Sequence, residues 1–177
     1  TDKRLYTSID SHKIFAEEIF CDIRQTKALE KSIKKVDPEV VFHLAAQPLV
    51  RASYTDPIET YETNVIGTAS VLNGIRQSTR CRDIICVTSD KCYNNVEQIW
   101  GYRESDPLGG KDPYSASKAA SEILINSYSQ SFFRDSNISI ATARAGNVIG
   151  GGDWSDNRLI PDIIKARQDN SSVIIRN

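Results

Sequence analysis

Short apolar runs of strand length alternate along this chain with segments of helical period, and that alternation restricts the fold more than any other feature. Val40-Val41-Phe42-His43-Leu44-Ala45-Ala46 reads as a continuous apolar strand, the kind found in parallel sheets covered on both faces. Asp83 to Thr88 and Ile138 to Ala143 read the same way, and shorter strands are expected at Ile19-Phe20-Cys21 and Val173-Ile174-Ile175. Between them the spacing predicts helices over Gln25 to Lys35, ended near Asp37-Pro38, and over Arg158 to Arg167. Two longer helices, Pro57 to about Gln77 and Pro113 to about Phe133, each open on a proline. Repeated strand and helix with right-handed crossovers gives an α/β fold, a Rossmann-type doubly wound parallel sheet.

A sheet of this type that takes a dinucleotide normally opens on a strand and a glycine-rich turn whose N–H groups approach a pyrophosphate. No such turn is present early in the chain, and Gly150-Gly151-Gly152 follow a strand too near the far end to replace it. The 177 residues include no methionine and start on Thr1. The expectation is therefore a fragment of a longer polypeptide, lacking the first βα unit and most of a second lobe.

A formal net charge of -1, with no clustered Lys/Arg run, argues against a nucleic-acid or membrane-surface partner and favours small molecules. No apolar stretch approaches the roughly 18 residues needed to cross a bilayer, and the N-terminus has no signal-like apolar core. The chain reads as soluble and cytoplasmic. Cys21, Cys81, Cys86 and Cys92 form no C-x-x-C pair, and with only His12 and His43 beside them a metal site is not expected. Reduced, buried thiols are expected instead. The sequons at Asn137 and Asn170 carry no weight in such a protein.

The strand over Asp83 to Thr88 runs into Ser89-Asp90-Lys91, a hydroxyl, a carboxylate and an ammonium in succession. Such a cluster is either a solvated turn or a catalytic group, since open α/β sheets bind ligands at the carboxyl ends of their strands. Of seven tyrosines, only Tyr114 has a lysine four residues on, Lys118. On a helix the two share a face, so the ammonium can favour the phenolate and make Tyr114 a general base near neutral pH. The pair opens the helix that directly follows the Ser89-Asp90-Lys91 strand and loop, which would bring both groups to one sheet edge.

With the segments His43 to Arg51, Thr63 to Thr68, Thr88 to Tyr93, Trp100 to Glu104, Asp112-Pro113-Tyr114 and Arg144 to Trp154 in that order, the chain resembles the extended short-chain dehydrogenase/reductase superfamily. Within it the likeness is to the nucleotide-sugar 4,6-dehydratases, in particular the branch acting on CDP-glucose. The resemblance implies NAD as cofactor and a nucleotide sugar as substrate. It gives Tyr114 the role of base toward the sugar 4-hydroxyl while hydride leaves carbon 4. Lys118 would lower the tyrosine pKa and hold the nicotinamide ribose, and Ser89 would hydrogen-bond the same oxygen. Asp90 would protonate the departing 6-hydroxyl. Lys91, where many relatives have Glu, would act on the carbon-5 proton, a role that requires burial or a nearby cation. Hydride return to carbon 6 would leave a 4-keto-6-deoxy sugar.

The same resemblance assigns cofactor contacts to Asp22, Ile23, Leu44, Ala45, Ala46, Asn64 and Thr88, in addition to Tyr114 and Lys118. For Asp22 the alternative is a helix N-cap. Gln47, Asn147 and Arg158 are assigned to substrate, with Gly150 to Asp153 forming a loop for its diphosphate; a surface role is the alternative for Arg158. His43 reads as a satisfied core histidine. The expected division is residues 1–146 as the partial NAD-binding core and 147–177 as the start of the substrate-binding region. A homodimer, formed by the helices from Pro57 and Pro113, is also implied. The alternatives, using UDP, dTDP or GDP sugars, are another dehydratase or a 4-epimerase, of which only the epimerase would leave Asp90 without a task; a further alternative is a non-catalytic dinucleotide-sensing module, in which the Tyr/Lys pair would not be needed.

Overall fold

The computed structural model describes residues 14–175, so His12 lies outside the described residues. These fall into two compact units, one running from Phe20 to Gly146 and one combining the segment up to Ile19 with Asn147 onward.

In the larger unit the elements run α1 (Thr26–Val36), β1 (Val40–His43), α2 (Val50–Thr55), α3 (Pro57–Tyr61), a π-helical turn (Glu62–Ile66), α4 (Gly67–Ile75), β2 (Asp83–Val87), a 3-10 turn (Asp90–Cys92), α5 (Pro113–Tyr128), a second π-helical turn (Ser129–Phe133) and β3 (Ser139–Ala143). The three strands form a parallel sheet in the order β1-β2-β3. Val40 pairs with Asp83 and His43 with Cys86; Asp83 pairs with Ser139 and Val87 with Ala143. Sequential order with parallel pairing needs a crossover between each pair, and right-handed crossovers place α3–α4 and α5 on one face. There Leu72 and Ile75 of α4 meet Ile84 and Cys86 of β2 and Ile125 of α5, all almost fully buried. Burying each such leucine or isoleucine side chain contributes roughly 1.5–3 kcal/mol relative to leaving it exposed.

Burial along β2 alternates, with Ile84 and Cys86 inside, and in β1 Val40 and Phe42 are exposed. The uniform coverage on both faces expected of these runs is thus absent among the described residues. Leu44 to Ala46 leave the strand as an irregular segment. The expected strands at Ile19-Phe20-Cys21 and Val173-Ile174-Ile175 are irregular as well. An apolar triplet favours burial, but an extended run becomes a strand only where a neighbouring strand supplies a ladder. The helix expected from Pro57 is continuous but carries the π-helical turn, and α2 has no counterpart among the expected elements.

Both proline-opened helices are capped by the preceding aspartate. Asp56 accepts from the Glu59 N–H, and Asp112 accepts from the N–H and hydroxyl of Ser115, satisfying donors the first turn leaves open. Gly110 backs directly onto α5: a Cβ there would lie 2.2 Å from the Ala116 nitrogen. The loop can therefore press on the first turn of α5 only because the position is glycine. In the smaller unit, α6 (Leu159–Gln168) buries Pro161 and Ala166.

Candidate active site

The site is built where β2 ends. Ser89 is extended and caps the 3-10 turn: its hydroxyl accepts from the Lys91 N–H at 3.2 Å and donates to Asp90 Oδ1 at 3.1 Å. The turn reading and the cluster reading of this stretch therefore coexist, because the cap that stops the strand leaves Asp90 and Lys91 exposed beside a buried serine. Lys91, as an exposed side chain, lacks the burial expected of a lysine base. Two backbone bonds fix the segment to the end of β3: Thr88 N–H donates to Ala143 O at 2.9 Å and Asp90 N–H to Ala145 O at 3.0 Å.

Helix α5 packs on the turn and carries Tyr114, 8% exposed, and Lys118, 7% exposed. The Tyr114 N–H donates to Ser53 Oγ at 3.1 Å, which seats the first turn of α5 on α2. Lys118 Nζ donates to the carbonyl of Val87 at 3.5 Å. Burial pushes its ammonium below the ordinary lysine range, opposed by Cys86 and Glu122. An ammonium has three donors, and no second hydrogen-bond acceptor for Nζ lies among the described residues.

Several polar side chains assigned to ligands face inward. Asn64, 2% exposed and in the π-helical turn, accepts from Gln47 N–H at 2.8 Å and donates to Gln47 O at 3.1 Å and Ser117 Oγ at 2.8 Å. Its amide clasps the loop after β1 to α5, so it braces the site instead of reaching out from it. Gln47 donates to Leu49 O and Thr60 Oγ1 and accepts from Leu49 N–H, which commits its side-chain amide to the loop and not to a substrate. The Thr88 hydroxyl donates to Glu122, which commits its proton to a protein carboxylate. Polar groups at a strand end must satisfy buried backbone and side-chain partners before any ligand.

Asp22 is neither a helix cap nor open. It accepts from Arg24 N–H at 2.9 Å and makes a paired contact with the Arg24 guanidinium, at 3.0 Å and 2.7 Å on Oδ2, and that guanidinium holds its carboxyl below the usual range. The residue preceding α1 is Gln25, with no side-chain cap. Ile23 packs on Gly67, where a Cβ would lie 2.5 Å from its Cδ1. Leu44 and Ala45 are exposed at the carboxyl end of β1, with Ala46 half-buried. His43 is satisfied: its Nε2 lies 2.9 Å from Thr68 Oγ1. That hydroxyl donates to Asn64 O at 2.6 Å, so Nε2 carries the proton and donates. Burial, aided by the Lys118 charge, lowers the histidine to about 4. Burial likewise raises Cys86 to about 12 and Cys92 to about 11, and all four cysteines are free. No cluster of metal-ligating side chains occurs among the described residues.

In the smaller unit, Asn147 is exposed and Gly152 adopts φ 82°, a conformation that favours glycine. Arg158 Nε lies 3.9 Å from Asp153 Oδ2.

A buried pair escaped the sequence reading. Glu122, one turn beyond Lys118 on α5, accepts from Thr142 Oγ1 at 3.1 Å and Arg144 Nη2 at 2.9 Å. Burial alone would raise the Glu122 carboxyl, but Arg144 and the Thr88 and Thr142 hydroxyls outweigh it and hold it below the usual range. The available signal was an acid continuing the Tyr114-Lys118 row and an arginine just after β3.

A description of one enzyme family, GDP-mannose 4,6-dehydratase, matches residues 4–170. The chain belongs to the GDP-mannose 4,6-dehydratase family. CDP-glucose 4,6-dehydratase of Salmonella typhimurium (strain LT2) is similar at 52% identity over 161 residues, 88% of this chain and 45% of that protein. UDP-glucose 4-epimerase of Mycoplasma genitalium is 27% identical over 183 residues, 93% of this chain and 53% of that protein. The chain thus spans about half the length of these curated relatives. Among solved structures, the dTDP-glucose 4,6-dehydratase DesIV of Streptomyces venezuelae, with NAD and TYD bound, is similar with a TM-score of 0.76 at 25% identity, over 86% of this chain and 45% of that one. A UDP-glucuronic acid 4-epimerase of Bacillus cereus shares the fold, with a TM-score of 0.80 at 24% identity, over 95% of this chain and 51% of that one. Membership of the GDP-mannose 4,6-dehydratase family accords with the Rossmann-like parallel sheet.

Proposed function

We propose that the complete protein is an NAD-dependent CDP-glucose 4,6-dehydratase, a hydro-lyase that forms a 4-keto-6-deoxy sugar. The observation that carries the choice of substrate is the 52% identity to the CDP-glucose enzyme, against 27% and 29% to relatives named for UDP-glucose and dTDP-D-glucose.

The residues present fit a nicotinamide dinucleotide. Lys118 is a buried ammonium with donors to spare at the end of β2, suited to ribose hydroxyls, and Leu44 and Ala45 offer exposed, uncharged surface at the end of β1. NAD, when bound, accepts a hydride at the start of the cycle and supplies one at its end. Tyr114 takes the proton of the 4-hydroxyl, and the Lys118 ammonium stabilises the phenolate by which it does so. Ser89 hydrogen-bonds the same sugar oxygen. The ketone at carbon 4 acidifies carbon 5, and Lys91 removes that proton once bound substrate covers its ammonium and supplies the desolvation that the exposed side chain otherwise lacks, while Asp90 protonates the 6-hydroxyl, which leaves as water. Asp22, Ile23, Ala46 and Asn64 line or brace the cofactor side, and Asn147 and Arg158 act on the substrate diphosphate.

Exposed apolar side chains on the two long helices, Ile58, Tyr61, Ile66 and Ile123, suit a homodimer in which each helix meets its copy, and a monomeric mass of the full-length protein in solution would count against that pairing. No described helix is long and apolar enough to cross a membrane, and we assign the enzyme to the cytoplasm. The test of function is incubation of the full-length protein with NAD and CDP-, UDP-, dTDP- or GDP-linked hexoses, read by the alkali-induced absorbance of a keto-deoxy sugar. Signal with CDP-glucose alone supports the reading. An epimerised product without a ketone would overturn it in favour of a 4-epimerase.

A further inference from the structure

Helix α5 presents one row of buried polar side chains, Tyr114, Lys118 and Glu122, each four residues from the last, a spacing that stacks them along one face about 6 Å apart. The first two have tasks in the reaction proposed above. Glu122 has none, yet it is 5% exposed and carries three partners on two segments: the Thr88 hydroxyl at the end of β2, and the Thr142 hydroxyl and Arg144 guanidinium at the end of β3. Thr88 directly precedes Ser89 and Asp90. Arg144 lies between Ala143 and Ala145, whose carbonyls receive the Thr88 and Asp90 N–H groups. Its guanidinium also donates to Glu104 O at 3.0 Å and lies 4.9 Å from the centre of the Tyr93 ring, so it meets the Tyr93 end of the segment from Thr88 to Tyr93 directly and the Thr88 end through Glu122.

We propose that Glu122 is a positioning residue for the reaction: bonded to Thr88 and Arg144, it holds the turn bearing Ser89 and Asp90 against the helix bearing Tyr114 and Lys118. The inference rests on the dehydratase reading, because it supposes that groups on the turn and the helix must meet one sugar. An apolar pair of similar volume would pack these segments about as stably. It would not supply directional bonds from a single carboxylate on the helix to the end of β2 and to the end of β3. Misplacement of catalytic groups by about 1 Å can cost on the order of 100-fold in rate, which is what such bonds prevent. Glu122 also faces Lys118 electrostatically and opposes the effect of burial on it, so its charge acts on the helix side as well.

The test uses full-length holoenzyme carrying Glu122→Gln, Thr88→Val or both. Three quantities are read: kcat and KM for CDP-glucose, the near-ultraviolet absorbance of reduced nicotinamide during turnover, and backbone amide exchange. Glu122→Gln should lower kcat roughly 10- to 100-fold with KM within about two-fold. Reduced nicotinamide should accumulate, because the oxidation keeps its base and ammonium, Tyr114 and Lys118, on α5 and loses only the Ser89 hydrogen bond, whereas the elimination loses its acid when Asp90 is released with the turn. Amides of Thr88 to Cys92 should exchange about ten-fold faster, with those of Ile84 to Cys86 unchanged. Thr88→Val leaves the ion pair in place and should show the same signs, and the double variant should be no worse than Glu122→Gln alone. Wild-type kcat and exchange in both variants would overturn the proposal, as would faster exchange across the whole sheet or additive losses in the double variant. A wild-type enzyme inert toward every nucleotide hexose would sink the dehydratase reading and the catalytic half of the proposal with it, whereas unchanged exchange in an active Glu122→Gln enzyme sinks the clamp alone.

Discussion

The Lys118 ammonium lies 3.5 Å from the carbonyl oxygen of Val87, two residues before Ser89, and so ties the helix that bears the tyrosine to the strand end that bears the serine. Replacing Lys118 with Met should remove the charge that supports the Tyr114 phenolate and lower kcat about 100- to 10,000-fold, the range for loss of general acid–base assistance. Lys118→Arg should not restore activity, since the planar guanidinium does not fit a site 7% exposed. Steady-state kinetics of the two variants checks both outcomes.

Asp90 is exposed beside the buried Ser89 and accepts from its hydroxyl. Asp90→Asn should keep the turn, because amide and carboxylate oxygens accept alike, while removing the acid. Keto-deoxy product should fall by about 100-fold or more, and reduced nicotinamide should form in a single turnover with CDP-glucose. Equal loss of both signals would contradict the separation of roles.

His43 is buried neutral, with its value lowered from 6.5 to about 4 by desolvation and Lys118. The unfolded chain binds a proton more readily than the folded one between these values. The stabilisation from the neutral ring is therefore complete above about pH 6.5 and lost as the pH falls toward about 4, for a total on the order of 3 kcal/mol. Thermal melts of the full-length protein and of His43→Gln at pH 7 and pH 5 check this, since the wild-type curve should drop more over that interval.

At Gly110 an added methyl would lie 2.2 Å from the Ala116 nitrogen and 2.4 Å from the Ser115 carbonyl carbon. These are backbone atoms of the first turn of α5 and cannot rotate away. Gly110→Ala should therefore destabilise the protein by about 1–3 kcal/mol, the usual cost of overpacking, and a melting curve close to wild type would refute the close approach.

The elements best legible in the sequence were those whose signal is local. β2 and β3 follow from apolar runs, α3 and α5 from the prolines that open them, and the Tyr114-Lys118 pair from a fixed helical spacing. Apolar triplets such as Ile19-Phe20-Cys21 show what favours burial but not whether a neighbouring strand is there to pair with. Gln47, Asn64 and Thr88 are assigned to ligands by the family resemblance, and a sequence does not distinguish a group that faces a ligand from one that satisfies a buried amide or carboxylate. The Glu122–Arg144 pair joins residues 22 apart, brought together only by the β2–α5–β3 crossover, so the helical row marks Glu122 but no local pattern names its partner.

The most direct test of the central claim is to give full-length enzyme CDP-glucose deuterated at carbon 4, in ordinary water, and to locate the deuterium in the product by NMR. Internal return through the groups on β2 and α5 predicts deuterium at carbon 6 of a 4-keto-6-deoxy sugar, with carbon 5 carrying a solvent proton. Deuterium restored to carbon 4 of an epimerised sugar, or lost to the medium, would contradict the account.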